Sequence, residues 1–218
     1  MPVITALKTH RRNKERVKLY LDDEYAFQLP LLEAAGLSCG QELRQQEIAA
    51  LLEAGALQNA YDRAVRFLAR RPRSAEEVRR YLLSKEVGVS VIAVVLERLQ
   101  ARAWLDDVEF ARYWVDQRQR HKPMGARALR YQLRQKGVAE AVIEAALECL
   151  DETDAAYRVA QSRLARYRGQ TPRAFRQKLG GLLMRRGFAA ETVRQTTMRC
   201  QQEIDEEDSE YFHREADA

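Results

Sequence analysis

Asp106, Asp107 and Glu109 form the densest carboxylate cluster in the body of the chain. Such a cluster beside a lysine or histidine is what a metal-dependent nuclease needs to hold a divalent cation. Helix capping explains two of the three without chemistry. Asp106 and Glu109 stand at N-cap and N3 spacing, where each side chain satisfies a free backbone N–H. No G-x-x-x-x-G-K-[ST] phosphate loop occurs, and Gly180-Gly181 is isolated inside a helical pattern. Neither G-x-S-x-G nor H-E-x-x-H is present. His10, His121 and His213 have no helical ligand spacing, and Cys39, Cys149 and Cys200 are odd in number with no C-x-x-C pair. The expectation is no catalytic residue, no metal site, no cofactor and no disulfide scaffold.

Basic residues are better placed to do something. Arg127, Arg130 and Arg134 share one helical face, opposite the core stripe of Leu129 and Leu133. Arg70, Arg71 and Arg73 crowd the turn before Ser74, and Arg173, Arg176 and Lys178 open a later helix. Each group stands at the start of a helix, and these starts recur at intervals of ~50 residues. Arginine's planar fork matches phosphate and carboxylate, so these nine residues are the candidate contacts to a partner or a nucleic acid. Trp104, Phe110, Tyr113 and Trp114 cluster in sequence. Phe110 and Trp114 keep helical core spacing, which predicts packing between repeats in preference to a base-stacking platform.

The elements that carry these residues repeat. Ile92, Leu96 and Leu99 stand at the same offsets as Ile143, Leu147 and Leu150, and Val193, Thr197 and Cys200 echo them. Val78 and Leu82, Leu129 and Leu133, Leu179 and Leu183 are four apart in the preceding helix of each copy. Lys136-Gly137 and Arg186-Gly187 follow at equal distance in the second and third copies. A helical unit repeating every ~50 residues buries its core by stacking on its neighbours. Helix starts are marked by Ser74 with Glu77, by Asp106 with Glu109 inside a Leu105–Phe110 staple, and by Thr171-Pro172.

The first thirty residues read differently. Val3–Leu7, Arg16–Leu21 and Tyr25–Leu29 are short, β-prone and in part alternating, with turn chemistry at Asn13-Lys14 and Asp22-Asp23. They predict a three-stranded antiparallel sheet with a basic tip of Arg11, Arg12, Lys14 and Arg16. Short helices at Leu31–Ala35 and Gln45–Glu53 follow, punctuated by Gly36, Gly40 and Gly55. The fold class is mainly α: an elongated array of three tandem three-helix repeats with a small N-terminal antiparallel sheet. The expected divisions are 1–30 (sheet), 31–56 (connecting helices), 57–104, 105–151 and 152–203 (repeats) and 204–218 (acidic tail).

Charge is uneven. Residues 203–218 hold eight acidic side chains and one arginine, which places +12 on residues 1–202 when the whole chain carries +5. The basic body attracts a polyanion or an acidic protein face. The tail reads as frayed helix followed by disorder, and by effective concentration it is able to compete for that basic surface. No apolar signal core opens the chain, and the longest apolar run, Val87–Leu96, is too short to span a bilayer. The expectation is a cytoplasmic protein without a membrane partner.

The motifs together resemble the regulatory protein RecX family. Phe67-Leu68-Ala69-Arg70-Arg71-Pro72-Arg73-Ser74 with Glu77 and Tyr81-Leu82 resembles its first repeat. Leu105-Asp106-Asp107, Phe110-Ala111, Gly125, Leu129, Leu133 and Lys136-Gly137 resemble the second. Leu179, Leu183, Arg186-Gly187-Phe188 and Val193 resemble the third, and the β-prone start with Tyr20-Leu21-Asp22 resembles the N-terminal extension of longer members. The acidic tail departs from the family pattern. The resemblance implies a non-enzymatic modulator, usually an inhibitor, of the bacterial recombinase RecA. Such a protein lies in the groove of the RecA–DNA filament and affects ATP hydrolysis, strand exchange, DNA repair and the SOS response. Some members also bind DNA directly. Direct DNA contact is expected to be weak and non-specific, and the chain is expected to be a monomer. The alternative is a helix-turn-helix-like DNA-binding protein, against which stands the lack of a shared set of base-reading side chains in the three units.

Overall fold

The computed structural model describes residues 1–11 and 13–213. Alternation at the N-terminus becomes three antiparallel strands in chain order, β1 (Ile4–His10), β2 (Asn13–Leu21) and β3 (Glu24–Pro30). Val17 pairs with Leu29 and Leu19 with Phe27. Ile4, Val17, Leu19 and Leu29 are buried with Ala34 and Leu43 in one small core. Asp22 and Asp23 make the β2–β3 turn with φ of 49° and 67°, the left-handed pair that a two-residue hairpin requires. The Asp22 carboxylate accepts from the Val3 N–H, which ties the turn to the strand start. Asn13 lies in the strand and not in the turn. The basic tip is also revised. Arg12 lies outside the described residues, and Arg16 is half-buried and already engaged: it pairs with Asp62 at 2.5 Å and bonds to Asn59.

After α1 (Leu31–Ala34), one uninterrupted 24-residue helix, α2 (Gln45–Leu68), replaces the expected stop at Gly55. The glycine serves packing instead of punctuation. A Cβ there would lie 2.8 Å from the carbonyl oxygen of Gln28, so only glycine lets α2 lie against the β3 backbone. α3 (Ala75–Leu83) and α4 (Val89–Ala101) follow, with Val78, Leu82, Ile92, Val95 and Leu99 buried. Then come α5 (Asp107–His121), α6 (Ala126–Gln135), α7 (Glu140–Leu147), α8 (Glu152–Gln161), a 3-10 turn (Leu164–Tyr167), α9 (Pro172–Arg185) and α10 (Ala190–Glu207). The fold is mainly α with tandem three-helix units behind a small sheet.

The chain forms two compact units: Met1–Arg73 with Glu77–Leu105, and Ser74–Glu76 with the residues from Asp106 onward. Inside the second unit one packing rule occurs twice. Gly125, ahead of α6, donates its N–H to the Arg186 carbonyl at 3.1 Å, and Ala126 N–H donates to Glu152 at 2.5 Å. The Ser74 hydroxyl donates to the Lys136 carbonyl at 2.6 Å, and Ala75 N–H donates to Asp107 at 2.8 Å. In both places a basic-Gly turn receives the start of a helix. Gly187 has φ +83° and Gly137 φ +74°, and a Cβ on either would come within 2.5 Å of the received residue, Ala128 or Glu76. The repeated Lys-Gly and Arg-Gly steps are therefore docking turns. Thr197 holds a core position because its hydroxyl donates to the Val193 and Arg194 carbonyls.

The end of the chain corrects the expectation of fraying from Glu203. α10 continues to Glu207, and Tyr211 and Phe212 are buried in the last core against Phe175. The disorder expected beyond residue 213 lies outside the described residues.

Candidate polyanion interface

The acidic cluster has structural uses. Asp106 caps α5, accepting from the Val108 and Glu109 N–H groups. Asp107 accepts from Ala75 N–H, and burial is the main cause raising its pKa. Glu109 pairs with Arg112. Among the described residues no cluster suited to a metal ion occurs.

The nine candidate cations divide sharply. Arg71 pairs with Glu77 at 2.9 Å. Arg73 lies over the Phe67 ring at 4.0 Å, and Phe67 in turn stacks on Tyr81. Burial, then the nearby Arg71, holds the Arg73 guanidinium below the ordinary arginine value. Arg130 makes a two-pronged pair with Glu144 at 2.7 and 2.9 Å, and Arg134 does the same with Glu140 at 2.7 and 2.6 Å. These hydrogen bonds raise both arginines and lower Glu144. Arg176 donates to the Gln201 amide oxygen. Arg70, Arg127, Arg173 and Lys178 are exposed, and among the described residues none has a carboxylate within ion-pair distance. The face of Arg127, Arg130 and Arg134 is thus largely neutralised from within, leaving Arg127 as its open cation.

Lys178 belongs to a different grouping from the one its sequence neighbours suggest. Lys178, Gly181, Leu182 and Arg185 follow one face of α9 and line an open groove of about 760 Å³. Arg163, Arg166 and Tyr167, from the α8–α9 connection, line the same groove. Gly181 leaves room for Arg185, whose guanidinium would lie 3.3 Å from a Cβ there. Neighbouring Arg186 is lowered by burial first and then by the charge of Arg163. The α8–α9 connection is braced by the C-terminal segment. Tyr211 hydroxyl donates to the Leu164 carbonyl at 2.5 Å, Gly169 N–H donates to the Tyr211 carbonyl at 2.8 Å, and Arg168 pairs with Asp208 at 2.5 Å.

The aromatic cluster seen in the sequence is not one cluster. Trp104, 54% exposed, stacks on Tyr61 in the first unit. Trp114 packs in the second, beside Phe110 at 6.0 Å, with its indole N–H on Gln132 and with Arg118 and Lys136 over its ring. It completes the core of its own repeat.

Four family models account for most of the chain. The RecX N-terminal domain matches residues 2–44, and the first, second and third RecX three-helix domains match 60–99, 106–147 and 151–196. This chain belongs to the RecX family. Regulatory protein RecX of Bacillus subtilis strain 168 is 31% identical over 95% of this chain and 80% of its own length. That of Bacillus cytotoxicus is 30% identical over 99% and 82%. A crystal structure of regulatory protein RecX aligns with a TM-score of 0.75 at 26% identity, covering 91% of this chain and 100% of the other. Membership in RecX supports a regulatory role.

The groove lies within the third RecX domain, whereas its brace, Tyr211 with Asp208, lies beyond the matched residues. Motif reading found Lys178 and missed Arg163, Arg166 and Arg185. The signal was compositional. Residues 155–190 contain nine arginines and lysines and no aspartate or glutamate. Helical spacing of 178, 181, 182 and 185 then places one set on a single face.

Proposed function

We propose that the protein binds the filament that the recombinase RecA forms on DNA and restrains it, acting without catalysis or cofactor. The observation that carries this reading is the succession of all four RecX domain models along one chain, with relatives named regulatory protein RecX over nearly its whole length. The engaged roles of Asp106, Asp107 and Glu109 support a non-enzymatic reading. Repeated modest contacts along a polymer add through effective concentration, which suits tandem units that each carry an open cation. In this reading the chain acts as a monomer in the cytoplasm and contributes to control of recombination, repair and the SOS response. Arg70, Arg127, Arg173 and Lys178 are the open contacts among the nine candidates. Arg71, Arg73, Arg130 and Arg134 set local structure as well as charge.

The test is recombinase-dependent ATP hydrolysis on single-stranded DNA with the cognate RecA. Addition of the protein at or below stoichiometric ratio is expected to slow hydrolysis and shorten filaments. A free-standing, non-specific DNA-binding protein is the second reading, favoured by the acid-free run at 155–190. It predicts DNA binding with no effect on the recombinase beyond competition for DNA, relieved by excess oligonucleotide.

A further inference from the structure

We propose that the groove between α9 and the Leu164–Tyr167 turn is a binding site for the phosphodiester backbone of single-stranded nucleic acid. It presents Arg163, Arg166, Lys178 and Arg185 around one opening. Among the described residues none of the four has a carboxylate within 4 Å, whereas the surface arginines Arg112, Arg120 and Arg194 each do. Four like charges left together repel one another and gain only when an anion enters. Lys178 and Arg185 are seven residues apart on α9, roughly 10 Å along the helix axis, so one point anion does not reach both and a chain of anions does.

The wall chemistry selects among polyanions. An acidic protein face needs cations alone. This groove is also lined by Tyr167, which is partly exposed and packed edge-on against Phe175 at 6.1 Å, so the ring's position is fixed. A basic track with a fixed aromatic ring on its wall is the arrangement that holds single strands, phosphates on the cations and a base on the ring. The groove is preformed, because Tyr211, Asp208 and Gly169 hold the connection that bears Arg163, Arg166 and Tyr167. Less ordering is then left to binding. This inference does not depend on the recombinase reading, since it concerns the purified protein alone.

The experiment is fluorescence anisotropy with a labelled single-stranded oligonucleotide across a salt series. The variants are the triple Arg166→Ala, Lys178→Ala, Arg185→Ala, the single Lys178→Gln, and a charge-matched triple, Arg112→Ala, Arg120→Ala, Arg194→Ala. With about 0.7 of slope per phosphate contact on a single strand, the groove triple is expected to flatten log K against log salt by roughly 2. Its affinity at low salt is expected to fall tenfold or more. Lys178→Gln, a change at an exposed side chain, is expected to remove about 0.7 of slope, so the reading survives even if the triple folds poorly. The charge-matched triple is expected to stay within threefold of the parent. Tyr167→Leu, which keeps an apolar contact on Phe175, is expected to weaken the single strand more than a duplex of equal length. Unchanged slopes in the groove variants overturn the proposal, as does an equal loss in the charge-matched triple. Displacement of the oligonucleotide by polyglutamate at equal charge concentration, with Tyr167→Leu silent, would assign the groove to an acidic protein instead and overturn it too.

Discussion

The Tyr211 hydroxyl donates to the carbonyl of Leu164 at 2.5 Å, joining the end of the chain to the α8–α9 connection. Phe212 lies 5.2 Å from Phe175 beside it, in the same core as Val159, Leu179 and Leu183. The acidic stretch after α10 is therefore a clasp on the third repeat, and its apolar pair decides its role.

Truncation after Gln202 removes Ile204, Tyr211 and Phe212, all buried. It is expected to lower thermal stability sharply, so it does not report cleanly on competition between the acidic residues and a polyanion. Phe212→Ala is expected to cost about 3 kcal/mol or more, and Tyr211→Phe about 1 kcal/mol for one hydrogen bond. Denaturant unfolding followed by circular dichroism measures both. Neutralising exposed Asp205, Glu207 and Glu210 to amides keeps the clasp and tests the competition directly: tighter oligonucleotide binding at low salt supports it, and superimposed curves end it.

Trp114 is partly buried and shares its ring with Arg118 and Lys136. Trp114→Ala is expected to cost about 2 kcal/mol, below the ~3–5 kcal/mol of a fully buried large aromatic. A thermal scan reads it. Unchanged stability with lost partner binding would instead make Trp114 a contact residue.

The three cysteines are expected to react unequally. Cys39 and Cys149 are exposed, whereas Cys200 is buried at the third core and burial pushes its thiol up to about 11. A thiol reagent at mildly alkaline pH is expected to label two cysteines in the native protein and the third only in denaturant. The sign for stability follows. The folded thiol holds its proton more tightly than the unfolded one, so its contribution is complete below the ordinary thiol value and is lost as pH rises toward about 11. Cys200→Ala is expected to flatten the alkaline limb of a stability-against-pH curve.

On α6 the three arginines are expected to differ. Arg127 is open, and Arg130 and Arg134 are held by Glu144 and Glu140. Arg127→Gln is expected to weaken polyanion binding severalfold, and Arg134→Gln less, because its charge is already offset by Glu140. Equal effects would show that the two pairs open on binding.

The periodic apolar residues made the helices legible. Val78, Leu82, Leu129, Leu133, Leu179 and Leu183 are all buried, as their spacing implies. Gly55 misled because glycine marks both stops and close packing, and the Gln28 carbonyl that distinguishes them is far away in the sequence. Tyr211 and Phe212 were hidden by the acidic residues around them. Local composition reads as solvated tail, while their burial depends on Phe175, a long-range partner. At the candidate interface, sequence placed cations on faces but not beside their counterions. Glu140 and Glu144 sit on the next helix, one turn apart, where they meet Arg134 and Arg130. The groove needed two segments to be brought together, and only the missing carboxylates of residues 155–190 hinted at it.

The most direct test of the regulatory account is steady-state ATP hydrolysis by the cognate RecA on saturating single-stranded DNA as this protein is titrated in. The account predicts a progressive fall in rate at or below one protein per recombinase, not relieved by more DNA. A rate that stays flat through a severalfold excess of the protein, or one restored fully by added DNA, would contradict it.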